Sequence, residues 1–274
     1  ISNKPQRKIV LNNSTSLEKN IYSPPITFVP SNDTHTLWML PIAEKIPHSN
    51  FMIIPEINEN AAEVLQKNHM GYFRYYPGIF KTFCSSLVIF GNDWGPQERR
   101  LIRECRVLSI PTIVIQEGPL HFSESINHLR NADFAFLQGE VMKQYVNSSN
   151  AIVTGNPKYD SLIKEDLSKE PCVMINCNFT YGVYESYRDQ WLKDIVDVCK
   201  KVGVDYFISK HPRDTGQLLD DYPVVNSGAA LVKDQLLRSS ILISRFSTLI
   251  YEALIIGRDV IYYDPMHESF PLIK

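Results

Sequence analysis

The stretch "ILISRFSTLIYEALIIGRDVIYYD", residues 241–264, decides the fold. A β-branched run ends near Ser244, a helix-like segment follows over 247–257, and a second β-rich run occupies 259–264. Short buried strands that alternate with helices in this way are typical of parallel βαβ units. The same alternation continues towards the N-terminus, so we predict an α/β protein.

The alternation falls into two sets, separated by the polar segment "DSLIKEDLSKEP" at 160–171. We therefore predict two Rossmann-like domains, 36–165 and 166–274, whose parallel sheets face a central cleft. Residues 1–35 are rich in Asn, Ser and Pro and show little apolar periodicity, and we predict that they form an N-terminal extension. Ligands of such folds bind beyond the carboxyl ends of the strands, which makes the residues after each strand the ones to inspect.

Composition narrows the classes of partner and compartment. The 274 residues carry a formal net charge of −2, which offers no basic surface for nucleic acid. Five cysteines occur without a CxxC pair, which fits a reducing, cytoplasmic setting better than a disulfide or zinc framework. No apolar run reaches the ~18 residues of a membrane span, and the polar N-terminus resembles no signal peptide.

The first strand end of interest is "TIVIQEGPL", residues 112–120. Glu117 follows the strand directly and can accept a proton from a substrate hydroxyl. Gly118 permits a turn close to a ligand, and Pro119 suits the first turn of a following helix. The alternative is a strand that stops at an ordinary surface turn.

The second strand end is "ISKHPRD", residues 208–214. A β-run delivers Lys210, His211 and Arg213, with Pro212 fixing the turn. A histidine beside two cations can hydrogen-bond a phosphate or protonate a leaving group. A solvated turn is the competing interpretation.

The third strand end is Ser244 itself. Ser247 or Thr248 can cap the next helix, and its free N–H groups with the hydroxyls suit a phosphate. Glu252 lies one turn further on the same face, where a carboxylate can bind ribose hydroxyls. An ordinary capped helix with a solvated glutamate would show the same pattern.

Two weaker candidates complete the set. In "VTGNPKYD" (153–160) Asp160 either contacts a ligand or begins the linker. In "INCNFTYG" (175–182) Asn176 and Asn178 offer neutral hydrogen-bonding groups after a strand. The sequence lacks GxGxxG, Walker A, GxSxG and HExxH motifs, so we expect no nicotinamide or flavin cofactor and no metal.

Taken in order, these motifs resemble a known group of enzymes. Gln116-Glu117-Gly118 resembles the acidic motif of bacterial sialyltransferases, His211-Pro212 their HP motif, and the segment from Ser244 to Thr248 their serine/threonine motif. The layout is also similar to β-Kdo transferases and CDP-glycerol polymerases. The resemblance covers about residues 36 to 265. Gln116 departs from it, since the family usually has an acid there.

The resemblance implies a GT-B fold with an N-terminal acceptor domain and a C-terminal nucleotide-donor domain. It implies that Glu117 is the general base and that His211 supports the departing phosphate. Ser244, Ser247 and Thr248 would hold that phosphate, and Glu252 would bind ribose. Pro212 shapes the loop of His211. Lys210 adds positive charge nearby, which the resemblance itself does not fix, and Gly118, Asn176, Asn178 and Asp160 are candidate donor or acceptor contacts.

The function so implied is metal-independent transfer of a sugar, sialic acid or Kdo from a CMP-sugar, to a glycan or glycolipid acceptor in bacterial surface polysaccharide synthesis. We expect this in the cytoplasm, at the inner face of the membrane through partner proteins. The alternatives are a CDP-glycerol or CDP-ribitol phosphotransferase, a UDP-N-acetylglucosamine 2-epimerase-like enzyme, and a catalytically silent binding module.

Overall fold

The structure is a computed structural model, and it describes residues 25–118, 129–146, 150–163, 172–180, 182–218, 222–226 and 231–268. The chain divides into two compact units, Ile1–Lys158 and Tyr159–Lys274. Within the described residues, each unit contains parallel strands connected by helices, as the alternation in the sequence predicts. The boundary lies a few residues before the one predicted from the polar segment.

The first unit contains one sheet of seven parallel strands. The strands are β1 (Ile26–Val29), β2 (Ser49–Ile53), β3 (Tyr72–Arg74), β4 (Leu87–Phe90), β5 (Thr112–Ile115), β6 (Phe134–Leu137) and β7 (Ala151–Val153). Their order in the sheet is β3-β2-β1-β4-β5-β6-β7, and every described pairing is parallel. The strand order reverses between β1 and β4, which is the point where folds of this kind bind ligands.

Helices connect these strands. They are α1 (Asp33–Ala43), α2 (Pro55–Asn58), α3 (Ala61–Lys67), α4 (Ile79–Thr82) and α5 (Pro96–Val107). One core cluster packs α1 and α3 on the sheet through residues that include Phe28, Met39 and Leu65, all fully buried. The helix α5 buries Leu101, Ile102 and Cys105, at helical spacing, and exposes its arginines.

The second unit contains a sheet of five parallel strands. These are β8 (Cys172–Cys177), β9 (Asp205–Lys210), β10 (Val224–Asn226), β11 (Ile241–Ser244) and β12 (Asp259–Tyr262). Their order is β10-β9-β8-β11-β12, which reverses between β8 and β11. The helices are α6 (Asp160–Ile163), α7 (Arg188–Val202), α8 (Leu231–Leu237) and α9 (Leu249–Ile255). Trp191, Leu192 and Cys199 of α7 pack on β8 and β9.

Two elements differ from the expectations. Strand β1 lies inside the predicted N-terminal extension, because prolines at 25 and 30 and a polar sequence around them hide a strand that the sheet buries almost completely. Where the alternation predicts an α-helix between β6 and β7, Glu140–Tyr145 is a 3-10 helix, in which Met142 N–H donates to the Gly139 carbonyl. Within Glu140–Tyr145 only Met142 is buried, so little packing supports a longer helix.

None of the helices within the described ranges is both long and apolar enough to cross a membrane.

Candidate functional site

The carboxyl end of β1 presents a buried histidine. Asn32 caps α1 by accepting the His35 N–H on its side-chain oxygen, at 2.8 Å. His35 is 3% exposed and its ring packs 5.5 Å from the Trp38 ring. Its Nδ1 accepts the backbone N–H of Ser31 at 3.3 Å. A neutral ring in this position therefore carries its proton on Nε2.

His35 Nε2 contacts Oε2 of Glu117. The glutamate follows β5, and its side chain is 42% exposed. The imidazole lies against the backbone of Gly91, which follows β4, because a Cβ at that position would lie 2.4 Å from His35 Nδ1. The segments that follow β1, β4 and β5 thus meet at the Glu117 carboxylate. One of its oxygens contacts His35, and the side chain remains partly open to solvent.

Gln116 explains why this strand end departs from the acidic motif. Its side chain is 1% exposed, donates to the Gly118 carbonyl at 2.7 Å and accepts the Gln138 N–H at 2.9 Å. An acid here would lack the amide hydrogens that reach the Gly118 carbonyl. Gln116 therefore fixes the turn that carries Glu117. Pro119 and the predicted helix after it lie outside the described residues.

The second unit places His211 at the carboxyl end of β9. Its backbone N–H donates to the Cys177 carbonyl of β8 at 2.9 Å, and its Nδ1 accepts the Arg213 N–H at 3.1 Å. Burial lowers the pKa of His211, and the nearby Arg213 charge lowers it further, against an opposing effect of Asp214. The imidazole is therefore neutral at pH 7 with its hydrogen on Nε2. Lys210 ends the strand half-buried, and Pro212 is exposed.

Asp214 anchors the loop that carries His211. Its N–H donates to the His211 carbonyl, and its fully buried carboxylate forms an ion pair with Arg188 of α7, at 2.7 Å. The carboxylate also accepts the Phe179 N–H at 3.3 Å and the Cys177 Sγ–H at 3.4 Å. Burial and Asp214 raise the pKa of the Cys177 thiol, which keeps it protonated.

The serine/threonine segment divides into a buried and an exposed part. Ser244 is fully buried, donates to the Arg245 carbonyl at 2.7 Å and accepts from Asn176 Nδ2 at 2.9 Å. The side chains of Ser244 and Asn176 therefore form a buried hydrogen bond with each other at the carboxyl edge of the sheet. Ser247 accepts the Leu249 N–H at 3.2 Å and is half-buried, while Thr248 is exposed and makes no side-chain cap.

Arg245 holds this strand end together. It is 3% exposed, and its guanidinium forms a forked ion pair with Glu268. It also donates to the Asn178 carbonyl at 2.7 Å and lies 4.4 Å from the centre of the Phe179 ring. The side chain of Asn178 donates to the Phe246 carbonyl at 3.3 Å. These contacts tie the loop after β8 to the loop after β11.

Two of the predicted site residues, Glu252 and Asp160, are not part of the contacts described above. Glu252 of α9 is 7% exposed, so it lies in the core of its unit rather than in solvent. Asp160 is exposed at the start of α6. Among the described residues no three His, Cys, Asp or Glu side chains could hold one metal ion. A cavity of about 480 Å³ opens at the amino ends of β4 and β5, lined by residues such as Cys84 and Pro111, and includes none of the predicted site residues.

Sequence reasoning missed His35, Asp214 and Arg245. For His35 the available signal was the apolar run "ITFV" followed by Asn32, a residue type that commonly caps helices. Together they predict a strand that turns into a helix, with His35 in the first turn of that helix. Arg245 and Asp214 stand inside the quoted motifs, but nothing local indicates that each has a buried ion partner. Their role depends on contacts made by residues distant in sequence.

Comparison with known proteins supports the fold. No protein-family model and no curated protein matches the chain. The solved structure of UDP-GlcNAc 2-epimerase from Methanocaldococcus jannaschii is similar, with a TM-score of 0.59 and 11% identity over 86% of this chain and 82% of that one. Acinetobacter baumannii MurG gives a TM-score of 0.53 with 12% identity over 89% of this chain and 80% of that one.

The wall teichoic acid polymerase TagF gives a TM-score of 0.51, with 11% identity over 89% of this chain and 71% of that one. At such identities the similarities concern the fold. Together with the two parallel sheets they confirm the predicted class, a GT-B α/β protein of two Rossmann-like domains.

Proposed function

We propose that this chain transfers a sugar from a nucleotide-activated donor to a hydroxyl of a glycan or glycolipid acceptor. One observation carries the proposal: a buried His35, with its proton on Nε2, contacts a carboxylate of Glu117 that stays open to solvent at the carboxyl edge of a parallel sheet. Such an arrangement suits a general base, because the imidazole occupies one oxygen and leaves the other for a substrate hydroxyl.

The proposed reaction is a single displacement with inversion. The acceptor oxygen forms a bond to the anomeric carbon, while its proton passes to Glu117. The bond from the anomeric carbon to the phosphate oxygen breaks, and the nucleotide leaves with the electron pair. His35 stabilises the orientation of Glu117 throughout by donating from Nε2.

For the leaving nucleotide, the proposal assigns the supporting role to His211 of the second unit. His211 is neutral, and its Nδ1 already accepts the Arg213 N–H, so Nε2 is the donor that remains for a phosphate oxygen. Lys210, the last residue of β9, adds positive charge beside His211. Fixed donors of this kind stabilise the developing charge, and the proposal therefore assigns this task to the chain and requires no metal.

The remaining predicted contacts acquire a narrower assignment. Thr248 is exposed and Ser247 is half-buried, and these two residues are the proposed phosphate contacts after β11. The hydroxyl of Ser244 and the amide of Asn176 are bonded to each other, which supports a positioning task for them. Ribose binding by Glu252 would require the carboxylate to be reached in the core, and it is the least supported assignment.

The donor follows from the sequence resemblance, which points to a CMP-linked sialic acid or Kdo. Among proteins of similar fold, one structure of the M. jannaschii epimerase is in complex with UDP-GlcNAc and UDP, and one of TagF carries CDPG. These proteins make a UDP-sugar epimerase and a CDP-alditol phosphotransferase the rival functions. Five free cysteines, three of them buried, favour a cytoplasmic site of action.

A thermal-shift panel of CMP, CDP, UDP and GDP tests the nucleotide, because ligand binding raises the melting temperature by mass action. We expect the largest shift with CMP. A selective shift with UDP would overturn the CMP-sugar assignment, and one with CDP would favour the phosphotransferase.

Replacement of Glu117 by Gln tests the chemistry. The amide cannot take a proton, so we expect kcat for nucleotide release to fall by about 10²–10⁴-fold with the nucleotide-induced melting shift unchanged. Glu63→Gln, an exposed change on α3, is the matched control and should leave kcat unchanged. Full turnover in Glu117→Gln would refute the proposed base.

A further inference from the structure

The carboxylate of Glu98 is buried and is connected to His35 through Ser31. It lies in the first turn of α5 and is 4% exposed. Its Oε1 accepts from Ser31 Oγ at 2.8 Å and from Asn92 Nδ2 at 3.4 Å. The amino end of a twelve-residue helix is a favourable position for a carboxylate, because the helix dipole and the first N–H groups stabilise negative charge there.

Ser31 connects this carboxylate to the histidine. Its hydroxyl donates to Glu98 and accepts from Asn92 Nδ2 at 2.7 Å, so the side chain is held from two sides. Its backbone N–H points the other way and donates to His35 Nδ1 at 3.3 Å. The orientation of one residue therefore depends on Glu98 and determines which nitrogen of His35 carries the proton.

We propose that Glu98 is a positioning residue that holds Ser31 so that its N–H keeps His35 in the Nε2–H tautomer facing Glu117. The inference rests on the proposed function for its catalytic consequence, but the effect on the tautomer is independent of any substrate. The chain of contacts runs from Glu98 through Ser31 to His35 and ends at the exposed carboxylate.

Close packing against the backbone fixes both ends of this series of contacts, Glu98 and His35. A Cβ on Gly95 would lie 2.0 Å from Oε2 of Glu98, and a Cβ on Gly91 would lie 2.4 Å from Nδ1 of His35. The backbone passes so close to both side chains that neither can move towards it. When a hydrogen bond to Glu98 is lost, the residue that can shift is therefore Ser31, which is half-buried.

The test measures the tautomer directly, on the full chain without ligand. The two ring nitrogens of His35 are observed by ¹⁵N NMR and assigned by the signals that disappear in His35→Gln. The variants are Glu98→Gln, which replaces one acceptor oxygen by a donor, and Ser31→Ala, which removes the hydroxyl and keeps the backbone N–H. Glu104→Gln, the same chemical change further along α5, is the control.

We expect the Nε2–H tautomer in the unmodified protein and in Glu104→Gln, and a mixture of tautomers in Glu98→Gln and Ser31→Ala. In the turnover assay kcat of Glu98→Gln should fall about ten-fold at unchanged KM, the usual size of effect for an outer hydrogen-bond partner. Since Ser31→Ala leaves the Glu98 side chain itself in place, it keeps the test decisive if Glu98→Gln folds poorly.

An unchanged tautomer in both variants overturns the proposal. A changed tautomer with unchanged kcat, in a protein whose Glu117→Gln variant is inactive, also overturns it, because positioning would then have no catalytic consequence. If Glu117→Gln keeps full turnover, the proposed function fails, and a changed tautomer still supports the hold of Glu98 on His35.

Discussion

At the carboxyl edge of the first sheet, the buried carboxylate of Glu98 is met by a hydroxyl and an amide, whereas at that of the second sheet Asp214 and Glu268 are each met by a guanidinium. Hydrogen bonds from neutral partners fix the orientation of a buried carboxylate but do not neutralise its charge. Buried ion pairs contribute most visibly when one partner is removed, since the remaining charge is then left unpaired. At the first sheet the contacts orient the proton of His35. At the second sheet the ion pairs hold rigid the loops around His211.

The largest expected effect comes from breaking an ion pair of the second edge. Arg188→Met keeps much of the apolar stem but leaves the buried Asp214 carboxylate without its cation, which should lower the free energy of unfolding by about 3–5 kcal/mol. Hydrogen exchange of the β8 amides measures this, because strands of the core exchange through opening of their unit.

The same helix offers a control. Lys193 and Asp197 form an exposed ion pair at 3.1 Å, with side chains 59% and 58% exposed. Lys193→Met should cost less than about 1 kcal/mol. If the two substitutions on α7 destabilise the unit equally, burial is not what makes the Arg188 pair matter, and the contrast between the two edges is lost.

An intermediate effect is expected at the first edge from Gly91→Ala. The new Cβ would meet His35 Nδ1, so the ring has to leave its present position against Glu117. Overpacking of this kind costs about 1–3 kcal/mol of unfolding free energy. The displacement should also alter the fluorescence of Trp38, whose ring lies 5.5 Å from that of His35, and lower the turnover assigned to Glu117.

Gly139→Ala is the matched control in the same unit. Nothing lies within 4 Å of its added Cβ, and its extended φ of −166° suits any residue. Stability and Trp38 fluorescence should not change. Unaltered fluorescence and turnover in Gly91→Ala as well would contradict the close packing of His35 against the β4 end.

The α/β class and most strands were accessible from the sequence because parallel strands are buried on both faces and read as continuous apolar runs. "TIVI" at 112–115 and "ILIS" at 241–244 are of this kind, and both are strands. Strand β1 was hidden by its flanking prolines, and with it His35 was assigned to an extension. Composition averaged over 35 residues could not reveal a four-residue strand.

For the candidate site, the sequence predicts only where its residues lie along the chain relative to the strands. Being next to a strand end predicted where Glu117, His211 and Ser244 stand, but not which way each side chain faces. Ser244 is fully buried against Asn176, whereas Glu117 is exposed, although both lie at the carboxyl ends of strands. That difference arises from partners on other strands, as does the pairing of Arg245 with Glu268, and no local pattern encodes it.

The smallest expected effect is the pH dependence that His211 gives to the second edge. Its pKa in the folded protein is lowered by burial and then by Arg213, so between that lowered pKa and the ordinary value of 6.5 the unfolded chain binds more protons than the folded one. Stability should therefore be fully present above pH 6.5 and decline as the pH falls towards the folded pKa. Half-exposure to solvent screens the effect and keeps it small.

Urea unfolding at intervals from pH 5 to 8 measures this slope, and His211→Asn should flatten it. His69→Asn, an exposed histidine in a left-handed turn that Asn also tolerates, should leave the slope as it is. A steeper slope in His211→Asn would mean that the folded protein favours the imidazolium. His211 would then meet a departing phosphate as a cation, and the second edge would contribute charge to the reaction rather than a neutral hydrogen bond.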